Sequence, residues 1–142
     1  MAAIEAAGLS IHPAAEYCAN LDINGFNDWH LPAPDELEVC YRYLKLTTQS
    51  NNTASRPLHN ATNGTNPNSN PVGSGYTSGS PSQTGVHEFQ NGGSQAFEAP
   101  YYWTSMEYSS TNSWIQYFTH GLQGNFSKTD AIRLRAVRWL EV

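Results

Sequence analysis

The sequence predicts a single α+β domain, in which two helices precede an antiparallel sheet. Three observations support this prediction: two helical patterns in the first third, three segments of alternating apolar and polar residues in the last third, and a long polar stretch between them. Helices and strands that are segregated along a chain are typical of α+β proteins. The 142 residues fit one domain, with residues 1–12 as an N-terminal extension and residues 47–99 as a polar loop insertion.

The first helix is predicted over residues 13–22. Pro13 suits a first helical position, and an apolar stripe follows at the spacing i, i+3, i+4 and i+7. The residues of this stripe are Ala14, Tyr17, Cys18 and Leu21. The Asn24-Gly25 pair then ends the helix or turns the chain.

A short extended piece from Trp29 to Leu31 leads into the second helix, which is predicted to begin near Pro34. Asp35 and Glu36 in its first turn complement the helix dipole. The buried stripe of this helix is predicted to consist of Leu37, Cys40, Tyr41 and Leu44.

The stretch from Thr47 to about Gln95 is rich in Asn, Ser, Thr and Gly, a composition typical of linkers and disordered segments. A structureless loop of this length is uncommon inside a compact domain. We therefore predict an ordered, irregular excursion that its few apolar residues hold to the domain. These residues are Leu58, Tyr76, Val86 and Phe89.

Three strands are predicted over residues 101–105, 113–119 and 131–139, because apolar and polar residues alternate there. His120-Gly121 and the NFSKTD run (125–130) are predicted to turn the chain between them. Large aromatic residues on inward faces usually lie in the core. On this ground we assign to the core Trp103, Trp114, Phe118 and Trp139.

The charge balance argues against nucleic acid or an anionic membrane as a partner. The chain has 7 basic and 12 acidic residues, a net charge of −5. Its only basic cluster, formed by Arg133, Arg135 and Arg138, is interpreted as local pairing. No apolar run is long enough to span a membrane, and the first residues lack a signal-peptide pattern. We expect a protein that needs no export, or a piece of a longer protein.

No pattern predicts catalysis or a cofactor. The five histidines show no i, i+4 pairing and no cysteine at zinc spacing. Cys18 and Cys40 are interpreted as buried thiols, with a bridge between them left open, and Cys40 as a nucleophile would need a histidine that only the fold could bring near. The run from Asp22 to Gly25 superficially suggests a calcium loop, but a turn explains it better. We predict a non-enzymatic protein without a cofactor; a structural calcium ion is left open but has no motif behind it.

Several spaced motifs resemble a known family. DWHLPAPDEL (28–37) resembles the signature D-W-R-L-P-T-x-x-E-L, and YYWTSMEYSSTNSWIQYF…RLRAVR resembles Y-W-S-S-T-E-Y…A-W…F…G…K…V-R-x-V-R. Both signatures belong to the C-terminal domain family of bacterial collagen-like adhesins. GYTSGSPSQT followed by FQNGGSQAFEAPYYW looks like the variant of that domain found in phage tail-fibre tips and in the variable proteins of diversity-generating retroelements. The resemblance covers about residues 13–140.

The resemblance implies a C-type-lectin-like fold, in which two helices and a long loop region accompany a twisted antiparallel sheet that displays a ligand surface. Family members are binding modules rather than enzymes, so it also implies a bacterial-surface protein or glycan as the partner. The implied location is a phage virion tail or the bacterial cell surface. Some adhesin members form trimers and bind sulfated polysaccharides, which leaves a homotrimer open for this chain.

The sequence departs from the family pattern at four positions. Ala136 stands where many relatives have a cysteine, which excludes a bridge from Cys18 to that segment. Ala33 replaces the threonine that would cap the second helix, a loss of typically ~1 kcal/mol. His30 replaces a common arginine, and Met106 replaces a threonine.

The resemblance also implies a changeable ligand surface. Mutable positions in retroelement members derive from template codons that cannot yield Lys, Gln, Glu, Met or Trp. Alignment on Trp114, Phe118, Gly121 and Lys128 gives as candidate ligand-binding residues Ile115, Tyr117, Thr119, His120, Leu122, Gly124, Asn125, Phe126, Asp130 and Ile132. None of these has an excluded residue type.

The face of the middle strand that carries Ile115 and Tyr117 should be polar if it met water. We interpret it as meeting a partner. The simpler interpretation is that Ile115, Tyr117 and Phe126 pack under the long loop.

The preferred function is therefore a non-enzymatic ligand-binding domain, either a retroelement variable protein or a phage tail-fibre tip. The alternative is a structural homotrimeric tip or adhesin domain that binds polysaccharide, with the same apolar residues in the interface between subunits. A third hypothesis, an enzyme that uses paired cysteines, lacks a second reactive cysteine placed to help Cys40.

Overall fold

The computed structural model describes residues 12–56, 58–98 and 100–140. Within them lie helices α1 (Pro13–Ala19) and α2 (Pro34–Leu44), the short strands β1 (Ser55–Arg56) and β2 (Ala61–Thr62), and strands β3 (Tyr101–Glu107), β4 (Asn112–Tyr117) and β5 (Gln123–Ser127). Strands β1 and β2 form one antiparallel pair, and β3, β4 and β5 form an antiparallel sheet in chain order. The predicted α+β class is confirmed. The predicted N-terminal extension, apart from His12, lies outside the described residues.

Helix α1 is shorter than the predicted helix over residues 13–22. It begins at Pro13, as predicted, and ends at Ala19. Its inward side carries Ala15 and Cys18, which are both buried. The predicted burial of Tyr17 is wrong, since its side chain is 59% exposed. Tyr17 lies two positions after Ala15, about 200° around the helix, and therefore faces away from the core.

The chain turns after α1 at Asn24 and Gly25, as predicted. Both residues have a left-handed backbone, with φ of 55° and 79°. The Asp22 carboxylate accepts a hydrogen bond from the Gly25 N–H at 3.1 Å. The run from Asp22 to Gly25 is thus a turn closed by its own aspartate.

Helix α2 follows its prediction closely. It begins at Pro34, and its inward face carries the fully buried Leu37 and Tyr41, with Cys40 and Leu44 packed beside them. Spacing of three and four residues places these side chains on one face. The 3.6-residue period of apolar residues was therefore enough to predict the buried face of this helix.

The start of α2 is stabilised without a capping side chain at Ala33. The Glu36 carboxylate accepts a hydrogen bond from the Ala33 N–H at 2.7 Å, which is one half of a capping box. The same carboxylate contacts His30 Nε2 at 3.1 Å. The hydrogen bond to Glu36 therefore offsets part of the helix stability that is lost because position 33 has no threonine to cap α2.

The third strand of the sheet is not the predicted one. Strand β5, Gln123–Ser127, overlaps the NFSKTD run that was predicted to turn the chain. The predicted strand over residues 131–139 is wrong, because that segment makes only isolated bridges, from Arg133 to Tyr102 and from Val137 to His30. It meets two separate partners, so no continuous ladder forms.

Apolar and polar residues nevertheless alternate in the C-terminal segment because of packing. Ile132, Leu134 and Ala136 point inward and pack on the cluster around Trp103. The alternation of apolar and polar residues in this segment therefore showed which side chains point inward. It did not show that the segment forms a strand with a full set of hydrogen bonds.

The sheet is buried on both faces. On one face, α2 and the insertion cover a cluster formed by Leu37, Tyr41, Leu46, Tyr76, Phe97, Tyr102 and Phe118. On the other face, α1 and the C-terminal segment cover a cluster formed by Ala15, Cys18, Leu31, Trp103 and Ile115. Successive residues of a strand point to opposite faces, which is why Tyr102 and Trp103 belong to different clusters.

Three of the four aromatic residues assigned to the core are buried, namely Trp103, Trp114 and Phe118. The assignment of Trp139 is wrong, since its side chain is 70% exposed. Trp139 lies beyond the last bridge, at Val137, and its ring is stacked against His30 with centroids 6.3 Å apart. No packed layer covers it within the described residues.

The insertion between α2 and β3 is ordered, but buried polar residues hold it as much as apolar ones. Tyr76 is buried as predicted, whereas Val86 is 47% exposed. The buried Glu38 of α2 accepts hydrogen bonds from Tyr76 Oη at 3.0 Å and from Asn66 Nδ2 at 2.9 Å, and pairs with Arg42 at 2.8 Å. A buried carboxylate with several partners fixes the loop geometry, because each lost partner would leave charge unsatisfied.

The C-terminal basic residues pair locally, as predicted. Arg133 Nε contacts Glu98 at 2.9 Å, and Arg138 Nε contacts Asp28 at 2.8 Å. Arg135 lies over the Phe97 ring at 5.0 Å. Among the described residues, neither helix has the length and apolar character that a membrane span requires.

Candidate ligand-binding surface

Most of the predicted ligand residues lie on β4, β5 and the turn that joins them. The register pairs Ile115 with Gly124 and Ser113 with Phe126. The turn is closed by two hydrogen bonds, from Gly121 N to Tyr117 O and from Tyr117 N to Leu122 O, both 2.8 Å. Antiparallel pairing therefore brings together residues that the sequence separates by up to about a dozen positions.

Ile115 is an exception, and its predicted exposure is wrong. The side chain is 2% exposed and packs with Trp103 and Cys18 in the core. The face of β4 that carries Ile115 is apolar at this point because α1 and the C-terminal segment cover it. Here the simpler expectation, that Ile115 packs inside, was correct, although its cover is not the long loop.

Four partly exposed aromatic residues form what we call the aromatic row: Phe126, Tyr101, Tyr117 and His120. The Phe126 and Tyr101 ring centroids are 4.7 Å apart, and those of Tyr101 and Tyr117 are 4.6 Å apart. His120 stacks on Tyr117 at 4.2 Å with an interplanar angle of 12°. The fold thus joins three predicted residues through Tyr101, which was not predicted.

The missed residue had a signal in the sequence. Tyr101 and Tyr102 are adjacent in a strand, so one of them had to face away from the core cluster of the other. Tyr102 is buried, and Tyr101 lies directly opposite Tyr117. Without the register of β3 on β4, the sequence could not indicate which tyrosine joins the row.

The turn that carries His120 is held from behind by the insertion. Asn52 N donates to His120 O at 2.7 Å, and Thr47 Oγ1 donates to Thr119 O at 2.8 Å. The buried Gln116 donates from Nε2 to Gly121 O at 2.9 Å. A loop held at three successive carbonyls is pre-organised, which lowers the entropy cost of binding.

The two glycines near the turn, Gly121 and Gly124, differ in the space that each leaves for a side chain. Gly121 has φ of 78°, and a Cβ there would lie 2.5 Å from the Tyr41 ring. Gly124 has no left-handed φ, and a Cβ there would meet only Ile115 Cδ1, at 4.0 Å. Only Gly124 is among the candidate variable positions, and only Gly124 has room for a side chain.

Burial gives the row an uncharged character. It lowers the pKa of His120, so the neutral imidazole is favoured. His120 Nδ1 is buried and has no hydrogen-bond partner among the described residues. The pKa of Tyr101 is raised, first by desolvation and then by the neighbouring Tyr117. The surface can therefore offer aromatic faces and neutral hydrogen-bonding groups at neutral pH.

The remaining candidates are distributed around this row. Asn125 Oδ1 accepts a hydrogen bond from Asn112 Nδ2 at 2.8 Å. Asp130 and Ile132 line a separate cavity of about 430 Å³ beside Trp103, and no residue of the aromatic row lines that cavity. The structure therefore divides the predicted set into a group at the β4–β5 turn, two residues at the cavity, and the buried Ile115.

The interleaved residues behave as scaffold. Trp114, Gln116 and Gln123 are all buried. Gln123 links β5 to the insertion, since its Oε1 accepts from Gly64 N at 3.0 Å and its backbone N–H donates to Asn63 Oδ1 at 3.2 Å. Lys128 forms an ion pair with Glu107.

Burial suppresses the ionisation of both cysteine thiols. Cys18 and Cys40 are both free thiols, and burial raises the pKa of each to about 11. The thiolate, which is the reactive form, is therefore rare at neutral pH. Within the part of the chain that the structure describes, no group of three or more His, Cys, Asp or Glu side chains is arranged to hold a metal ion.

Comparison with known proteins adds one finding. A family model described as the Lcl C-terminal domain matches residues 2–138, almost the whole chain. A comparison with curated proteins finds no match.

Proposed function

Because the chain belongs to the Lcl C-terminal domain family, we propose that it is a non-enzymatic binding domain of C-type-lectin-like fold that presents the aromatic row to a ligand. The observation that carries this proposal is the aromatic row itself. Four aromatic side chains lie in contact and partly exposed on a sheet whose two faces are otherwise covered. Aromatic residues that keep contact with solvent are favoured sites for partner binding.

The composition around the row also supports binding. Tyr117 and His120 are accompanied by Thr119, Gly124 and Asn125, and tyrosine among small polar residues is typical of adaptable paratopes. The backbone that carries them is fixed by β4, β5 and the insertion. A rigid frame that carries exchangeable side chains is what a binding surface requires.

We further propose that the row belongs to a variable protein of a diversity-generating retroelement or to a phage tail-fibre tip, with a bacterial-surface protein or glycan as the ligand. The difference between Gly121 and Gly124 supports a variable surface. Gly124, a candidate variable position, has room for a side chain, whereas Gly121, which is not a candidate, does not. The neighbouring genomic DNA tests the choice. A reverse-transcriptase gene and a near-copy of the segment encoding residues 115–132 support the retroelement, and tail genes alone support the phage tip.

Binding itself is tested with fluorescently labelled domain against a panel of intact bacterial cells and a glycan array. For any cell type or glycan that binds, we expect Tyr117→Ala and Phe126→Ala to abolish binding. Both variants should keep the wild-type circular dichroism spectrum and a cooperative unfolding transition. Tyr43→Ala is the matched control, because Tyr43 is 55% exposed on α2 and outside the row. Wild-type binding by both row variants would refute the proposal.

The alternative is a structural tip in which identical chains cover each other's aromatic rows and form a homotrimer. The partial exposure of four contacting aromatic residues fits this arrangement too. Light scattering at micromolar concentration separates the two functions. A monomer at that concentration contradicts the trimeric tip and leaves the row free to bind another molecule.

A further inference from the structure

A second cavity, independent of the aromatic row, is lined mainly by residues 27–31 before α2, together with Ser105 of β3 and Trp139 of the C-terminal segment. Its volume is about 600 Å³, within the range of about 300–1,000 Å³ that small-molecule sites occupy. Trp29 and Trp139 both line it, and no residue of the aromatic row does. The cavity was not predicted from the sequence, because it depends on the bridge between His30 and Val137 that brings the C-terminal segment beside residues 27–30.

The aromatic walls are held in place. Trp29 Nε1 donates to Phe26 O at 2.9 Å, which fixes the indole ring. Trp139 is stacked against His30 with an interplanar angle of 17° and remains 70% exposed. Trp139 therefore leaves most of its flat indole surface available for stacking at the cavity.

The charged groups of this cavity are already paired. Glu36 contacts His30 at 3.1 Å, and Asp28 receives two hydrogen bonds from Arg138, at 2.8 and 3.2 Å. Pairing with Arg138 lowers the pKa of Asp28. A charged ligand would therefore have to compete with an existing partner, which favours a neutral ligand.

Neutral polar groups remain available. The side chains of Asn27 and Ser105 line the cavity. The neighbouring hydrogen bonds, from Trp29 Nε1 to Phe26 O and from Met106 N to Thr104 Oγ1, do not use either side chain. The paired carboxylates still have lone pairs that can accept from hydroxyl groups. The cavity thus combines flat apolar walls with free amide, hydroxyl and carboxylate groups.

We propose that this cavity binds a neutral saccharide, with a pyranose ring stacked on Trp139 and its hydroxyl groups bonded to Asn27 and Ser105. A pyranose has an apolar C–H face, which suits an indole, and a rim of hydroxyl groups that both donate and accept. It carries no charge, which suits a site whose carboxylates are paired. The volume has room for one or two sugar rings.

The test follows the indole N–H signals of the four tryptophans in ¹H–¹⁵N spectra while neutral sugars are added to millimolar concentrations. The panel is glucose, galactose, mannose, N-acetylglucosamine, maltose and lactose, with sialic acid and glucosamine sulfate as charged comparisons. We expect at least one neutral sugar to shift the Trp29 and Trp139 signals saturably, while the buried Trp103 and Trp114 signals stay in place. Shifts with the charged sugars alone, or with none, would overturn the proposal.

Variants then locate the site. Trp139→Ala and Asn27→Ala should each weaken binding at least about tenfold. Tyr43→Ala and Tyr117→Ala should leave it unchanged, which separates this site from the aromatic row. Should Trp139→Ala fail to fold, the exposed Asn27 still provides the test. Unchanged affinity in Asn27→Ala would overturn the assignment, and so would unchanged affinity in a folded Trp139→Ala, whatever the outcome at the aromatic row.

Discussion

Tyr117 lies directly opposite Tyr101 in the β3–β4 pair, with the two ring centroids 4.6 Å apart and the ring planes at 86°. Edge-to-face contacts of this kind stabilise by about 0.5–1.5 kcal/mol beyond the area they bury. Phe126 contacts the same Tyr101 ring, and His120 stacks on Tyr117. Tyr101 therefore positions both aromatic neighbours of the candidate surface.

We predict that Tyr101→Ala weakens ligand binding about as much as Tyr117→Ala, because Tyr117 and Phe126 both lose their packing partner. The free energy of unfolding should fall by about 1–3 kcal/mol, since two aromatic contacts are lost. Tyr101→Phe is the control, because it keeps the ring and should retain most of the binding. Titration with a cell type or glycan found in the binding screen, together with urea unfolding, measures both effects. If Tyr101→Ala binds as well as wild type, the row does not act as a unit.

A second prediction separates buried from exposed members of the candidate set. Ile115→Ala should lower the free energy of unfolding by about 2–5 kcal/mol, because it opens a cavity between Trp103 and α1. Asp130→Ala, at an exposed position, should change it by less than about 0.5 kcal/mol. Urea unfolding of both variants measures the difference. Equal stabilities would mean that the Ile115 side chain is not in the core.

The sequence was most informative where one local period determined the structure. In α2, Leu37 and Tyr41 are on one face because of the helical period alone. In β3 and β4, alternation located the strands within a few residues. The same reasoning failed for residues 131–139, because alternation shows which side chains point inward but not whether a neighbouring strand supplies hydrogen bonds.

The candidate site was harder to predict, since it depends on contacts between distant segments. Ile115 and Tyr117 have the same parity in β4, yet only the Ile115 position is covered by α1 and the C-terminal segment. Tyr101 enters the row only through its register with Tyr117. Polar anchors such as Glu38 were missed, because a buried carboxylate is recognised by its partners and not by its own residue type.

The third prediction concerns the two glycines of the turn region. Gly121→Ala should destabilise the domain by several kcal/mol or prevent folding, because its Cβ would collide with the Tyr41 ring and its φ is left-handed. Gly124→Ala should stay within about 1 kcal/mol of wild type, since its Cβ would make one ordinary contact. Thermal and urea unfolding of the pair give the comparison. A Gly124 variant as unstable as the Gly121 variant would contradict the view that position 124 can vary.

The fourth prediction is a pH dependence that arises from His120. Its pKa in the folded domain is lowered by burial, whereas in the unfolded chain it should be near the usual ~6.5. Below that pH the imidazole of His120 binds a proton more readily in the unfolded chain than in the folded domain. The contribution of His120 to the free energy of unfolding therefore decreases as the pH is lowered through about 6.5. In the protonated ring both nitrogens carry a hydrogen, and the buried Nδ1 has no acceptor for it among the described residues.

His120→Asn should therefore lose less stability than wild type between about pH 7.5 and about pH 5.5, the window set by the unfolded pKa. His87→Asn serves as the control, because His87 is exposed and should leave the wild-type dependence intact. Urea unfolding across this range measures the slope. Identical slopes for wild type and His120→Asn would show that His120 titrates alike in the folded and unfolded states.

The fifth prediction is that both thiols are nearly inert in the folded domain. With a pKa of about 11, only about one thiol in a thousand is ionised at about pH 8, against roughly a quarter for a free cysteine of pKa ~8.5. Ellman's reagent should therefore react more than about a hundredfold more slowly with the native protein than with the protein in strong denaturant. Cys18→Ala and Cys40→Ala assign any remaining reaction to one thiol. Because Cys40 is only partly buried, fast native labelling confined to it would contradict this prediction and revive the hypothesis of a cysteine enzyme.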